Sequence, residues 1–210
     1  MDDGAVYEAR LEMLDFLVEA FWDAPTEAFV ANLLAGDVEL PEESVTPTLD
    51  EGFAMLDEWV ADNRDREVDA VRRELEREYT RLFVGPRPPV LPHETYYRED
   101  ADFLGEGVAD VEESYAAVGW EPAEDYPEEA DFIAVELAFL RHLVERQRGG
   151  EEAAFGYERV FLDEHLLPWV DPFLAELREE ADPGLFLAAG LVFRGLLSFE
   201  DELVAQMVPG

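Results

Sequence analysis

Residues 67–97 read EVDAVRRELEREYTRLFVGPRPPVLPHETYY, and the change of pattern partway through this stretch decides the fold. Val68, Val71, Leu75, Tyr79 and Leu82 recur at three- and four-residue intervals, the repeat of one helix face. The spacing predicts a helix over about 67–84. Gly85 ends it. Pro86, Pro88, Pro89 and Pro92 then remove amide donors and fix φ, so regular helix cannot continue. Extended chain or tight turns are expected from Gly85 to about residue 96.

The helical repeat continues on both sides. Val6, Leu11, Leu14, Leu17, Val18 and Phe21 predict a first helix ending near Trp22. Pro25 and Thr26 start a short second helix, which Gly36 stops. A loop over Val38 to Thr48 precedes a helix from Leu49 to about Asn63. After the proline-rich stretch, helix is expected from about Tyr97 to Val118, with a second break at about 119–127. From Pro127 to Arg148 apolar residues form a stripe too wide for a surface helix, so this segment is expected at the centre. A helix over about 151–167 should break at Pro168, a short one should follow Asp171-Pro172, and Asp182-Pro183 should open the last, to about Gln206. No segment alternates with the period of two that marks a half-buried strand. The expectation is an all-α protein, a single-domain bundle of about eight to ten helices over residues 1–210, with hinges at about 85–96 and 119–127.

Charge narrows the function. Acidic residues number 52 against 15 basic ones, a formal net charge of −37, while 48% of the chain is hydrophobic. Every basic side chain is arginine, because the chain has no lysine. The acids are spread along the sequence, which reads as a solvated surface around an ordinary core. Such a surface suits a cytosol of very high salt, where the Debye length falls to about 3 Å at 1 M. No basic stripe exists to neutralise phosphates, which argues against nucleic acid as a partner. The arginines of residues 64–81 alternate with glutamates, and Glu74–Arg77 and Glu78–Arg81 have the spacing of helix-surface pairs. The longest apolar run, near Leu185 to Phe199, is interrupted by Arg194, so no stable membrane insertion is expected. Asp2 and Asp3 stand where a secretory signal would be basic, which favours a cytoplasmic protein.

Catalytic signals are missing. Without cysteine there is no disulfide, thiolate metal site or thiol nucleophile. His93, His142 and His165 lack metal-ligand spacing, and His93-Glu94 departs from the HExxH pattern at Tyr97. His142 and His165 are expected at helix surfaces or half-buried. Ser44, Ser114 and Ser198 lie in no nucleophile elbow, and no glycine loop would cradle a phosphate. No catalytic residue, metal or cofactor is therefore assigned. The proline-rich stretch allows two readings, a connector whose aromatics pack on the core and a recognition loop with rigid backbone acceptors and aromatic contact area. Physical argument alone favours the connector.

Glu78 to Pro86, followed by Leu91-Pro92-His93-Glu94-Thr95-Tyr96-Tyr97, resembles the signature of the TorD/DmsD family of redox-enzyme maturation chaperones, here of haloarchaeal type. That signature runs roughly Y-x-x-L-F-x-G-P, a proline-rich stretch, then P-W-x-S-V-Y. Pro127 to Ile133 with Glu136-Leu137 resembles the family's E-P-x-D-H-I-x-x-E-L segment. His93 stands where tryptophan is common, Thr95 replaces serine, and Phe132 replaces the family histidine while Asp131 matches. The resemblance implies an all-helical, non-enzymatic cytoplasmic chaperone. It implies binding of the twin-arginine signal peptide and precursor of a molybdopterin reductase, of the dimethyl sulfoxide or trimethylamine oxide type, and assistance of its maturation before export. It also implies a monomer or domain-swapped dimer. Carried over residue by residue, the peptide-binding set is Tyr79, Leu82, Phe83, Gly85, Pro86, Pro92, His93, Thr95, Tyr96, Tyr97, Asp131 and Phe132. At high salt, apolar contacts around Leu82, Phe83, Pro92, Tyr96 and Tyr97 are expected to dominate affinity. The competing readings are a nucleotide-binding or hydrolytic helical protein and a helical adaptor subunit that stays in a redox complex.

Overall fold

The computed structural model describes residues 3–36, 45–98, 104–122 and 129–208. The protein is an all-α bundle. Its helices are α1 (Asp3–Trp22), α2 (Glu27–Ala35), α3 (Pro47–Asn63), α4 (Val68–Tyr79), α5 (Glu94–Tyr97), α6 (Leu104–Ala117), α7 (Ile133–Arg148), α8 (Ala153–Phe161), α9 (Leu167–Glu180) and α10 (Leu185–Met207). Among the described residues the one β pairing is an isolated antiparallel bridge between His93 and Phe132.

Local chemistry sets several ends where expected. The Thr26 hydroxyl accepts from the Phe29 amide at 3.1 Å and starts α2, and Gly36 closes it in the left-handed conformation at φ 77°. Thr46 caps α3 in the same way, with Pro47 in its first turn, so this helix starts two residues before the expected Leu49.

The centre is built from α7 and α10. Ile133, Leu137, Leu140, Leu143 and Val144 are inaccessible to solvent. So are Leu185, Phe186, Leu191, Val192, Phe193, Leu196 and Leu197. Helix α1 lies along α7, and α3 lies along α10. The α3–α10 contact is close because glycine stands on both sides. A Cβ on Gly195 would lie 2.7 Å from the Leu49 amide nitrogen, and one on Gly52 would lie 2.9 Å from the Val192 amide nitrogen.

Three expectations are corrected. Helix resumes at Glu94 rather than Tyr97, makes one turn, and breaks at Arg98, whose backbone is extended. Helix α7 begins at Ile133, because Asp131 and Phe132 pair with the segment around His93 instead; Pro127 lies outside the described residues. The expected break at Pro168 and restart at Pro172 do not occur, and α9 runs through both. A π-turn over Leu162–Leu166 precedes α9, and Pro168 falls in the first helical turn, where its missing amide costs nothing. Pro172 faces solvent, so the carbonyl it leaves without a donor can be hydrated.

A second π-turn, Thr80–Val84, prolongs α4 and closes with the Gly85 amide on the Thr80 carbonyl at 2.8 Å. It turns both Leu82 and Phe83 inward and leaves Val84 61% exposed. On the surface of α4, Arg77 and Arg81 act on Glu74 and Glu78 as their spacing implies, and further contacts join them. Arg72 meets Glu76 at 3.0 Å, Arg66 closes on Glu74 at 2.7 Å, and Arg81 reaches across to the Glu180 carbonyl at 3.0 Å. Among the described residues no helix is long and apolar enough to cross a membrane.

Candidate functional site

The residues singled out in the sequence fall into two environments. Tyr79, Leu82 and Phe83 belong to the core. The Tyr79 hydroxyl donates to the Phe21 carbonyl at 3.0 Å, and the Phe83 ring meets Tyr79, Phe186 and Phe21 at centroid distances of 5.2, 5.7 and 6.0 Å. The π-turn has folded into the bundle the side chains expected to offer contact area to a peptide. Gly85 is half-buried and Pro86 exposed.

The second environment is a clasp between the His93 segment and the start of α7. The Asp131 carbonyl accepts from the Glu94 amide at 3.0 Å, and the Ile133 amide donates to the Pro92 carbonyl at 2.9 Å. The Asp131 carboxylate, fully buried, accepts from the Thr95 hydroxyl at 2.5 Å and the Thr95 amide at 3.3 Å, and lies 3.1 Å from His93 Nδ1. Burial alone would push this acid up; the His93 and Thr95 hydrogen bonds outweigh it and hold the group below the ordinary aspartate value. The His93 ring packs on Phe132 at 5.2 Å, with Phe132 itself buried. Pro92 is buried beneath the clasp and His93 stays partly open. Asp131, His93, Thr95, Pro92 and Phe132, chosen from two separate motifs, are thus brought together.

From the clasp, α5 turns Glu94 and Thr95 inward and leaves Tyr96 outside. Tyr96 is 52% exposed and meets Tyr97 edge-on at 4.9 Å. Tyr97 turns inward, stacks on Trp169 at 5.8 Å and donates to Glu176 Oε2 at 2.7 Å. Burial first, and then the Glu176 contact, raise its phenol well above the ordinary tyrosine value.

Glu94 points into the protein and is fully buried. Its oxygens meet Arg98 at 2.8 Å and His165 Nδ1 at 3.1 Å. His165 Nε2 lies 2.9 Å from the Ser114 hydroxyl on α6. Glu136 of α7 also sits against Glu94 and accepts from Trp169 Nε1 at 3.2 Å. Burial, and then the Glu94 charge, raise Glu136 well above the ordinary glutamate value, so it favours the protonated form, the one form able to donate to Glu94. His165 is 2% exposed, which corrects its expected surface or half-buried position: Glu94 supplies the partner that makes burial affordable.

The sequence reading missed Glu94, Arg98, Glu136, His165 and Trp169 as a unit. One signal was present, a glutamate at 136 on the apolar face of the central helix. An open pocket of about 460 Å³ borders the unit, lined by Arg98, Asp110, Ser114, Glu164 and His165 among others. The Ser114–His165–Glu94 chain has the order of a catalytic triad, but Ser114 lies inside α6, where backbone amides are committed to the preceding turn and cannot bind an oxyanion. Its chemistry is that of a cross-link joining α5, α6 and the π-turn before α9. Among the described residues no group of three histidine, aspartate or glutamate side chains is set to hold a metal ion.

A family model described as the nitrate reductase delta subunit matches residues 42–175. The chain is similar to a chaperone protein TorD of Vibrio atlanticus, 25% identical over 170 residues, which is 78% of this chain and 76% of the relative. It is also similar to a chaperone protein TorD of Vibrio parahaemolyticus, 27% identical over 166 residues, 76% of this chain and 74% of the relative. The family match spans more than half of the chain and both sides of the Asp131 clasp, and the chain belongs to the nitrate reductase delta subunit family.

Proposed function

We propose that this protein is a cytoplasmic maturation chaperone for a redox enzyme. In this reading it binds the twin-arginine signal peptide of a molybdopterin oxidoreductase, of the dimethyl sulfoxide or trimethylamine oxide reductase kind, and holds the precursor until it is ready for export. The observation that carries the reading is the family match over residues 42–175, joined to two relatives whose names are those of TorD chaperones. The contact face is the outer side of the Asp131 clasp, where His93 is partly open and Tyr96 is exposed. Clasp and cross-link fix this segment in advance, which lowers the ordering cost of binding. With a net charge of −37 the surface attracts an arginine-bearing ligand, an attraction that the high-salt cytosol inferred from the lysine-free composition would screen.

A second reading follows from the family's description as a subunit: an adaptor that stays with the assembled enzyme. Co-purification decides between them. A chaperone captures the precursor bearing its signal peptide and releases the mature enzyme, whereas an adaptor is recovered with the mature complex. Recovery of neither form would overturn both.

A further inference from the structure

The corner between α1 and α2 holds a pocket of about 390 Å³, within the range of roughly 300–1,000 Å³ that takes small ligands or side chains. Val18, Trp22, Ala24 and Phe29 form its apolar wall, with Trp22 40% exposed. Glu19 and Asp23, both exposed, stand at its rim. They lie at the C-terminal end of α1, where the helix dipole is already negative, and the last turn of α1 contains no basic residue. An apolar slot beside two carboxylates and a negative helix end is complementary to a cation adjoining an apolar side chain. An arginine meets both demands, because its guanidinium can pair with a carboxylate and lie over an indole face.

We infer that this corner is the seat for the arginine pair and the first apolar residue of the client's signal segment. The inference rests on the chaperone reading above and adds a place to it. The buried motif residues gain a role in consequence. The carbonyl of Phe21, next to Trp22, accepts from the Tyr79 hydroxyl and its ring lies 6.0 Å from Phe83, so Tyr79 and Phe83 anchor the end of α1 that carries the pocket without lining it. Phe173 packs on Phe21 at 5.9 Å and on Tyr97 at 6.2 Å, which ties the corner to the α5 segment through one core ring.

The test is fluorescence anisotropy of the full-length chain with a labelled peptide of two arginines followed by an apolar run, at low and at multimolar salt. The variants are Trp22→Ala and Glu19→Gln/Asp23→Asn, each checked for unchanged helicity. The wild type should bind. Trp22→Ala should weaken binding about tenfold at both salts, and the charge variant about tenfold at low salt with little effect at high salt. If the wild type binds and both variants stay within about twofold of it, the seat is overturned while the chaperone reading stands. If Trp22→Ala changes the oligomeric state and leaves peptide affinity alone, the corner serves a second copy of this chain and the inference is likewise overturned. A wild type that binds neither peptide nor precursor overturns both.

Discussion

Glu94 and His165, 71 residues apart in the chain, meet inside the protein with Nδ1 3.1 Å from the carboxylate. Neither has appreciable contact with solvent. One comes from the motif that distinguishes the sequence and the other from the π-turn before α9, so the contact fixes the α5 segment to that turn. Removing one member of a buried pair takes from the other a contact that offsets its desolvation, although Glu94 keeps Arg98 and His165 keeps Ser114. Glu94→Ala should therefore cost about 3–5 kcal/mol in chemical unfolding, and His165→Ala a comparable amount. The double variant should cost less than the sum of the two, because each single change already breaks the same contact. Additive losses in urea titrations would show that the pair is not coupled.

Stability should depend on pH through Glu136. Its folded value is raised by burial and by Glu94, from an ordinary value of 4.5. Its contribution is thus fully present below about 4.5 and is lost as pH climbs through the folded value, because the unfolded chain ionises first. Asp131 acts oppositely: its lowered value adds stability above the ordinary 3.8, which is lost as the solution becomes more acidic than the folded value. Glu136→Gln should flatten the decline in melting temperature between mildly acidic and neutral pH and leave the acid limb in place. An unchanged slope in that window would remove Glu136 from the account.

The helices are legible in the sequence wherever their determinants are local. Thr26 and Gly36 are such determinants, and so is the stripe of Val71, Leu75 and Tyr79. Legibility stops where a distant partner decides. Phe132 looks helical by spacing, yet its backbone pairs with His93, 39 positions earlier, and α7 starts after it. The π-turns leave no trace in composition, so Leu82 and Phe83 read as the end of an amphipathic helix when both face inward. The same limit governs the candidate site. Asp131, His93 and Thr95 are found from the motifs, whereas His165 is not, since its burial depends on a glutamate elsewhere in the chain.

The α3–α10 crossing makes its own prediction. A methyl on Gly195 would fall 2.7–2.8 Å from backbone atoms of Leu49, and backbone cannot swing aside as a side chain can. Helix propensity alone would favour alanine by about 1 kcal/mol. The clash should reverse that sign, with Gly195→Ala destabilising by about 1–3 kcal/mol. Gly156→Ala is the control, since a Cβ there meets nothing within 4 Å, and it should be neutral or stabilising. Calorimetric melting of the two variants tests the contrast directly.

Phe83 and Tyr96 separate support from contact. Both come from the motif, but Phe83 is 7% exposed within an aromatic cluster and Tyr96 is 52% exposed. Phe83→Ala should cost about 3–5 kcal/mol of stability. Any loss of client binding in that variant then follows from the damaged fold, and should fall away when binding is measured on the folded fraction or rescued by Phe83→Leu. Tyr96→Ala should change stability by no more than about 0.5 kcal/mol. If the outer face of the clasp meets the client, it should still weaken precursor capture several-fold, an effect of about 1 kcal/mol for an aromatic contact. Binding that survives Tyr96→Ala unchanged, in a protein of unaltered stability, would remove the exposed side of α5 from the contact face.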